Sequence, residues 1–542
     1  MVNGNSQGAH WQDLKKMRRI LTARSASALI EMNGTASFPP GTSDVHSPGY
    51  HSRTTRGNLV AMSRSPCLGR QVLVGSPDGY MPQKPRQPAR PKRLAVIDLF
   101  FTWPPHGGAC VDVKETLERL SPHVDLKLFL AKFDWFFPRG KRTAPLPFPV
   151  EDIPFTLNSF SIENIQHSFR EAVSRFQPDE VLVANGHFLK PLVAEAFVDT
   201  WPTSMRFFTY EVMCPTRDGI FFRNGRTCLA SPYTTGNFTR CRLCGFLGAI
   251  LTPGIRKYLL HEILISGAFS VSYLERVKRL MPRIKQHIVY NDLAAGFIRA
   301  MGGTPVVFPS GVETGRFRPT RAANEHGAFP RILFAGRADA AFKGFPILLD
   351  ACHLLRRSGR TFELLVTWKP ESNYLPDALW AKPMGWLPAS VMTPLNTWHR
   401  KHWNRDLFMP DFVRRIEWLN QDEMVDLYNS ADLCVFPSIW QEPLGIVTLE
   451  AMACGRPVIV SDVAGFRQTV RDGQTGRFFP PGDVMGLAAL LAELLDDPAQ
   501  RARLGANARR EVVARFDWKE ILDRYYRPWL GFSPVSLPAG NE

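Results

Sequence analysis

The sequence predicts an α/β protein with two Rossmann-like, doubly wound domains that face each other across a cleft. Three observations lead to this fold class. Apolar strand patterns alternate with helix patterns along most of the chain, the first strand runs into a glycine turn and a helix, and a second series of the same kind starts after residue 310. The chain has 542 residues, of which 44% are hydrophobic, and can therefore bury two cores of ordinary size. We predict one domain at 93–310 and the second at 311–515.

The first 92 residues are predicted to be a disordered, basic extension. They are rich in Gly, Ser, Pro and Arg, and residues 1–93 carry +10 of the formal net charge of +16. Within them, residues 11–21 have the pattern of a basic amphipathic helix that could contact a membrane surface or a partner. Because most of the excess charge lies in this extension, the folded part gives no strong sign of nucleic-acid binding.

The N-terminal domain opens with a buried-strand pattern at 93–100, a glycine pair and a helix pattern at 109–120. The pair, Gly107 and Gly108, would let backbone amides approach a phosphate or a sugar closely, although such a pair is often a simple turn. His187 follows a later strand pattern, and a lone histidine is more often structural than functional. The doubly wound pattern continues through apolar runs at 124–130, 162–176, 180–184, 205–209 and 287–290.

The second domain opens with a strand pattern at 331–336, and its first loop carries Arg337 and Lys343. Two cations at the carboxyl end of a strand suit a diphosphate, because charge-assisted hydrogen bonds stabilise the negative charge that grows when a sugar–phosphate bond breaks. The alternative interpretation is that these basic loop residues are only solvated.

Two carboxylates, Glu442 and Glu450, lie eight positions apart between two strand patterns. Pro443 suits a first helical position and Gly455 the position after the helix, so Glu442 is predicted in a loop and Glu450 about two turns into a helix. Both could then face a ligand at the carboxyl ends of a parallel sheet, where carboxylates accept hydrogen bonds from the vicinal hydroxyls of a ribose or a hexose. The alternative is that both are ordinary helix charges.

Residues 442–459 (EPLGIVTLEAMACGRPVI) resemble, almost position by position, the signature of the family-4 retaining glycosyltransferases of GT-B architecture. Residues 336–344 (GRADAAFKG) resemble the loop that carries that family's phosphate-binding arginine and lysine, and 304–313 resemble its interdomain segment. Residues 516–522 resemble the start of the terminal helix that crosses back to the N-terminal domain, so 516–542 are assigned to this helix and a tail. The resemblance covers roughly 93–530 and implies the GT-B fold.

The resemblance implies an enzyme that moves a hexose from a nucleotide diphosphate sugar to an acceptor hydroxyl with retention. It assigns the nucleotide ribose to Glu450, the hydroxyls of the donor sugar to Glu442, and the diphosphate to Arg337 and Lys343. The other residues that match the family's site are Leu444 and Gly445 at a helix N-terminus, the Gly107–Gly108 turn, and His187 near the transferred sugar. The implied acceptor is a glycan or glycolipid, and the implied process is the assembly of a cell-surface polysaccharide or glycolipid.

The sequence departs from the family pattern at two places. Tyr210 and Glu211 stand where relatives commonly have His-Asp, which puts the activity or the acceptor type in question if His is needed there. Residues 371–410, rich in Trp, Pro and His, replace a small glycine-containing turn and are expected to affect recognition of the base or the acceptor. No catalytic metal is expected, because the chain contains no Asp-x-Asp motif of the kind that holds a divalent cation on donor phosphates.

The cysteines support a separate hypothesis about a structural metal. Of nine cysteines, Cys214, Cys228, Cys241 and Cys244 fall within 31 residues, and the last two form a Cys-x2-Cys pair. Four thiolates suit tetrahedral zinc, but the spacing before the final pair is irregular, so scattered thiols or a redox pair remain the alternative.

No run of about 18 uninterrupted apolar residues is present and no secretory leader opens the chain, so we expect a cytoplasmic protein with at most peripheral contact at the inner face of the membrane. Two other functions remain open. A GT-B phosphorylase or sugar-phosphate synthase would share the scaffold, and, more remotely, a four-cysteine zinc element and a basic tail would suit a nucleic-acid-binding protein.

Overall fold

The structure is a computed structural model that describes residues 90–532 apart from 106, 134–139, 157, 215–221, 224–225, 228–230, 237–238, 242, 244–261, 269, 321–328, 339, 369–409 and 418. The predictions for the basic extension before residue 90, for nearly all of the 371–410 insertion and for the tail after residue 532 lie outside the described residues. None of the described helices is both long enough and apolar enough to cross a membrane.

The N-terminal domain is built on a parallel seven-stranded sheet of order β3-β2-β1-β4-β5-β8-β9. Its strands are β1 (Arg93–Asp98), β2 (Asp125–Phe133), β3 (Val150–Phe155), β4 (Glu180–Asn185), β5 (Thr203–Arg206), β8 (Gln286–Val289) and β9 (Pro305–Val307). A separate two-stranded ribbon joins β6 (Phe222–Arg223) to β7 (Arg226–Thr227). The helices are α1 (Gly108–Leu120), α2 (Ile162–Phe176), α3 (Lys190–Glu195), α4 (Pro232–Thr235), α5 (Val271–Leu280) and α6 (Asp292–Ala300). The central strands are buried on both faces, which is why they show continuous apolar runs and no alternation.

The C-terminal domain is built on a parallel six-stranded sheet of order β12-β11-β10-β13-β14-β15. Its strands are β10 (Arg331–Phe334), β11 (Glu363–Trp368), β12 (Val413–Glu417), β13 (Leu433–Phe436), β14 (Val458–Ser461) and β15 (Gly476–Phe479). Its helices are α7 (Phe345–Arg357), α8 (Gln421–Asn429), α9 (Ile446–Ala453), α10 (Ala464–Thr469), α11 (Val484–Asp496) and α12 (Pro498–Phe516). Two such sheets confirm the predicted pair of Rossmann-like units.

The last described segment packs against the N-terminal domain through α13 (Trp518–Ile521), a π-helical turn (Leu522–Tyr526) and α14 (Arg527–Leu530). The Trp529 indole donates to the buried Glu180 carboxylate on β4 at 2.7 Å, and the Arg206 guanidinium donates to the Tyr526 hydroxyl at 3.2 Å. These contacts hold the last helical turns on the first sheet.

The helix that carries Glu450 begins later than the sequence predicted. It starts at Ile446, so Pro443 lies in the preceding loop, and Glu450 is the fifth helical residue, about one turn from the start. Gly445 has φ +82°, a left-handed conformation that cannot belong to the helix and that glycine adopts at little cost. A proline pattern alone does not reveal this glycine turn.

Candidate active site

Glu442 lies in the loop between β13 and α9, at the carboxyl edge of the second sheet. It is only 4% exposed. Its Oε1 accepts hydrogen bonds from Lys343 Nζ at 2.6 Å, from Ser438 Oγ at 2.8 Å and from Trp440 Nε1 at 2.8 Å. The buried negative charge is therefore matched by one cation and two neutral donors, as a buried ion pair requires if its charges are not to be left without partners.

Lys343 reaches Glu442 because two loops of the second sheet approach very closely at Gly344. A Cβ at Gly344 would lie 1.8 Å from the Pro437 carbonyl oxygen, and φ there is +77°. Next to it, the Ile439 amide donates to the Phe342 carbonyl at 2.9 Å. Only glycine permits this approach, which places the loop after β10 against the loop after β13.

Arg337 is half-buried and lies beside the same pair of loops. Its guanidinium is 5.9 Å from the centre of the Phe342 ring, and Lys343 Nζ is 5.8 Å from that ring and 5.3 Å from the Trp440 ring. Within the described part of the chain, no carboxylate lies at ion-pair distance from Arg337. Arg337 is thus a cation available to an anionic ligand, and Lys343, an ammonium with three donors, binds Glu442 and can also donate to a ligand.

Glu450 faces a pocket at the junction of the two domains. Its Oε2 accepts a hydrogen bond from the Tyr428 hydroxyl at 2.8 Å. Burial raises the pKa of Glu450 to about 7, an effect that the Tyr428 hydrogen bond partly offsets. The other polar side chains that line the pocket are Asp112, Glu115, Ser310, Glu313, Arg316 and Gln421.

The glycine pair Gly107–Gly108 lies next to the start of α9, across the domain junction. Helix α1 begins at Gly108, and a Cβ there would lie 3.9 Å from Cδ1 of Ile446, the first residue of α9. Gly445 precedes that helix, and the side chain of its neighbour Leu444 is buried. The N-termini of α1 and α9 therefore lie close together, where unpaired backbone amides and helix dipoles favour an anion.

His187 begins a single 3-10 turn, His187–Leu189, directly after β4. Its φ is +44°, which is uncommon for a residue other than glycine, and its ring stacks on Phe100 at 5.3 Å between centroids. The structure thus places His187 at the carboxyl end of a central strand of the N-terminal domain. Its approach to a transferred sugar stays a prediction.

Sequence reasoning missed four residues that shape the site. Ser438 and Trp440 bind Glu442, Tyr428 binds Glu450, and Asn291 joins the two domains by donating to the Pro443 carbonyl at 2.7 Å. Ser438 and Trp440 stand within four positions of Glu442, which is the only signal the sequence offers for them. Nothing local in the sequence indicates the other two, because each reaches its partner from a distant segment.

Tyr210 and Glu211 are buried residues of the N-terminal domain. Glu211 pairs with Lys190 at 2.5 Å, and the two side chains are 1% and 0% exposed. The Tyr210 hydroxyl accepts from Asn291 at 3.2 Å. Asp98 also lies close enough to influence both charges, and burial raises its pKa to about 7. Glu211 therefore belongs to a buried charged cluster with Lys190 and Asp98, whereas Tyr210 contacts Asn291.

The described residues give no support to the zinc hypothesis. Of the four cysteines, Cys241 is buried and Cys214 is partly buried, while Cys228 and Cys244 lie outside the described residues. Among the described residues no three His, Cys, Asp or Glu side chains come together in a metal-binding group. A site that uses Cys228 and Cys244 stays a prediction.

Two solved structures bear on the fold. Sucrose-phosphate synthase from Thermosynechococcus elongatus superimposes with a TM-score of 0.54 at 19% identity, over 81% of this chain and 99% of that one. HepE from Anabaena, in complex with UDP and glucose, superimposes with a TM-score of 0.53 at 14% identity, over 81% and 99% of the two chains. Together with the two facing sheets, these likenesses show that the fold is GT-B.

The family match lies in the C-terminal half. A family model described as glycosyl transferases group 1 matches residues 400–511. A phosphatidyl-myo-inositol mannosyltransferase from Mycobacterium leprae is 28% identical over 250 residues, which cover 45% of this chain. The aligned part spans 59% of that relative's length, so the activity of the whole chain is a matter for proposal.

Proposed function

We propose that this chain, whose residues 400–511 match the group 1 glycosyl transferases, is a retaining glycosyltransferase that moves a hexose from a nucleotide diphosphate sugar to an acceptor hydroxyl. The observation that carries the proposal is the contact of Lys343 with Glu442 at the edge of the second sheet, beside Arg337 and next to the helix that bears Glu450. Glu442, Lys343 and Arg337 at this edge, with Glu450 in the helix that follows, provide acceptors for the hydroxyls and cations for the diphosphate of such a donor.

The C-terminal domain, 311–515, would hold most of the donor. Glu450 binds the ribose hydroxyls in the pocket at the domain junction, and Glu442 binds hydroxyls of the sugar. Arg337 and Lys343 bind the diphosphate. Backbone amides near Leu444 and Gly445, with the Gly107–Gly108 turn opposite, add uncharged donors for the phosphate oxygens.

The chemistry follows from where charge develops. As the bond between the sugar and the phosphate breaks, negative charge grows on the leaving phosphate, and cations fixed in advance lower the energy of that state most. In a front-face displacement the leaving phosphate takes the proton of the acceptor hydroxyl, so the new bond forms on the face that the phosphate leaves and the configuration is retained. Such a reaction needs no nucleophile from the protein.

The N-terminal domain, 93–310, would bind the acceptor, with His187 near the transferred sugar. A glycan or glycolipid is the proposed acceptor class, and the phosphatidyl-inositol substrate named for the mycobacterial relative supports the glycolipid. A cytoplasmic protein with peripheral contact at the inner face of the membrane would meet such an acceptor where it is built.

Binding of the nucleotide sugar is expected to weaken as the pH falls through about 7, the pKa to which burial raises Glu450. Above that pH the ionised carboxylate accepts hydrogen bonds from ribose hydroxyls, and protonation removes part of this capacity, so affinity should fall by up to about tenfold between pH 8 and pH 6. The measurement is calorimetric titration at several pH values. The Glu450→Gln variant should bind the nucleotide sugar more weakly than the parent at pH 8, and its affinity should no longer depend on pH. If its affinity changes with pH as the parent's does, a group other than Glu450 causes the pH dependence.

The test of the proposed function has two stages. A thermal-shift screen of UDP-, GDP- and ADP-sugars identifies the donor, and the purified protein is then incubated with that donor and with lipid-linked and free glycan acceptors. The expected result is release of nucleoside diphosphate together with a glycosylated product whose anomeric configuration, read by NMR, matches that of the donor. A product of inverted configuration would contradict the retaining mechanism.

The same assay separates the other functions. Turnover only with inorganic phosphate or a sugar phosphate as acceptor would show a phosphorylase or a sugar-phosphate synthase. Salt-dependent binding of DNA or RNA, with no response to any nucleotide sugar, would show the nucleic-acid-binding alternative.

A further inference from the structure

We propose that Trp440 and Ser438 are positioning residues that fix the rotamer of Glu442, so that the protein saturates one carboxylate oxygen and only the other is left for the donor sugar. This inference rests on the proposed function for the identity of the ligand. It adds a limit on how Glu442 can recognise a sugar.

Glu442 Oε1 has no capacity for a ligand. It accepts from Lys343 Nζ at 2.6 Å and from Ser438 Oγ and Trp440 Nε1 at 2.8 Å each. A carboxylate oxygen has about two lone-pair sites, so three donors at these distances exceed its ordinary complement. A sugar hydroxyl would have to displace one of them to bind this oxygen.

Glu442 Oε2 is the atom that remains. No side chain or amide of the described part of the chain donates to it, and 6% of the Glu442 side chain stays exposed. One oxygen accepts at most about two hydrogen bonds. Glu442 would therefore accept hydrogen bonds from one sugar hydroxyl, or from two adjacent ones, through Oε2 alone.

Trp440 is itself held in place, so it can hold Glu442. Its ring meets the Phe342 ring edge-to-face at 5.0 Å, and Lys343 Nζ lies 5.3 Å from it. Trp440 is 5% exposed, and the backbone bond between Ile439 and Phe342 fixes the loop on which it stands. The indole N–H thus points at Oε1 from a rigid frame, and its removal would let the carboxylate turn.

The test is the Trp440→Phe variant of the full chain, which deletes the indole N–H and keeps an aromatic ring. The probes are three pairs of ligands: UDP and UDP-glucose, GDP and GDP-glucose, and ADP and ADP-glucose. The pair that gives the largest thermal shift is titrated by calorimetry. The variant should bind the nucleotide sugar about tenfold more weakly, as expected from the loss of a hydrogen bond to a charged group. Its affinity for the free nucleoside diphosphate should stay within about twofold of the parent's, because that ligand has no sugar for Glu442 to bind.

Trp529→Phe is the matched control, because it also deletes an indole N–H that donates to a buried carboxylate, that of Glu180, at 2.7 Å. It should leave the ratio of the two affinities unchanged even if it lowers the unfolding temperature. Should Trp440→Phe not fold, Ser438→Ala tests the same idea with a smaller change in the same direction.

An unchanged affinity for the nucleotide sugar, or equal weakening for the sugar and the free diphosphate, would overturn the proposal, since Trp440 would then only support the loop. A parent protein that binds the nucleotide sugar but transfers the sugar to no acceptor would refute only the transferase function. The ratio of the affinities for the nucleotide sugar and the free nucleoside diphosphate would still decide this inference. A parent that binds none of the probes would overturn both.

Discussion

Replacing Lys343 with alanine is expected to lower the rate of sugar transfer by about 100-fold or more, the scale of losing one donor that stabilises charge in a transition state. Two effects act in the same direction. The diphosphate loses a cation where its negative charge grows, and Glu442, 4% exposed, loses the cation 2.6 Å from its Oε1. The measurement is kcat/KM from release of nucleoside diphosphate.

Two further variants separate these effects. Arg337→Ala removes a cation that has no carboxylate partner among the described residues, so its loss of rate reports on the diphosphate alone. Lys343→Ala combined with Glu442→Gln removes the unpaired buried charge, so any rate recovered relative to Lys343→Ala reports on Glu442. Lys127→Ala, which breaks a partly exposed ion pair with Glu151 in the N-terminal domain, is the control and should stay within about twofold of the parent. An unchanged rate in both Lys343→Ala and Arg337→Ala would defeat the assignment of the diphosphate site.

Replacing Lys190 with methionine is expected to destabilise the protein by about 3–5 kcal/mol, the cost of leaving a buried charge without its partner. Lys190 is fully buried and pairs with Glu211 at 2.5 Å, with Asp98 close by. Burial lowers the pKa of Lys190, although Glu211 and Asp98 act to raise it. The expected loss of stability is measured by urea denaturation at pH 7.5.

The double variant Lys190→Met with Glu211→Gln should recover part of this loss, because it leaves fewer charges buried. Lys127→Met is the control, and its partly exposed ion pair predicts a change of at most about 1 kcal/mol. A loss below about 1 kcal/mol in Lys190→Met would show that the cluster is hydrated or neutral and does not stabilise the N-terminal domain.

The fold was predictable because its signals are local. The first strand, for example, contains a continuous apolar run at 94–97, and it lies in the interior of the first parallel sheet. Part of the candidate site could be predicted from the sequence for a related reason. Lys343 and Glu442 each follow a strand of the same sheet, and the carboxyl ends of parallel strands share one edge.

The remaining features depend on contacts between distant segments. The ion pair between Lys343 and Glu442 forms because Gly344 allows the loop after β10 to approach the loop after β13. The sequence of neither loop predicts that the two are in contact. The same holds for Asn291, which reaches Pro443 from the other domain. The late start of α9 depends on the left-handed Gly445, whereas Pro443 suggested an earlier one. Local propensity alone does not decide between Pro443 and Gly445 as the determinant of where the helix starts, because the outcome depends on tertiary contacts.

The central claim is that one cleft holds an activated donor, with acidic side chains on its sugars and basic ones on its diphosphate. A crystal structure of the protein with a bound nucleotide sugar tests it most directly. We expect ribose hydroxyls within hydrogen-bond distance of Glu450, a hydroxyl of the sugar on Glu442 Oε2, and diphosphate oxygens on Arg337 and Lys343. A nucleotide sugar bound elsewhere, with these four side chains in contact only with protein and solvent, would contradict the account.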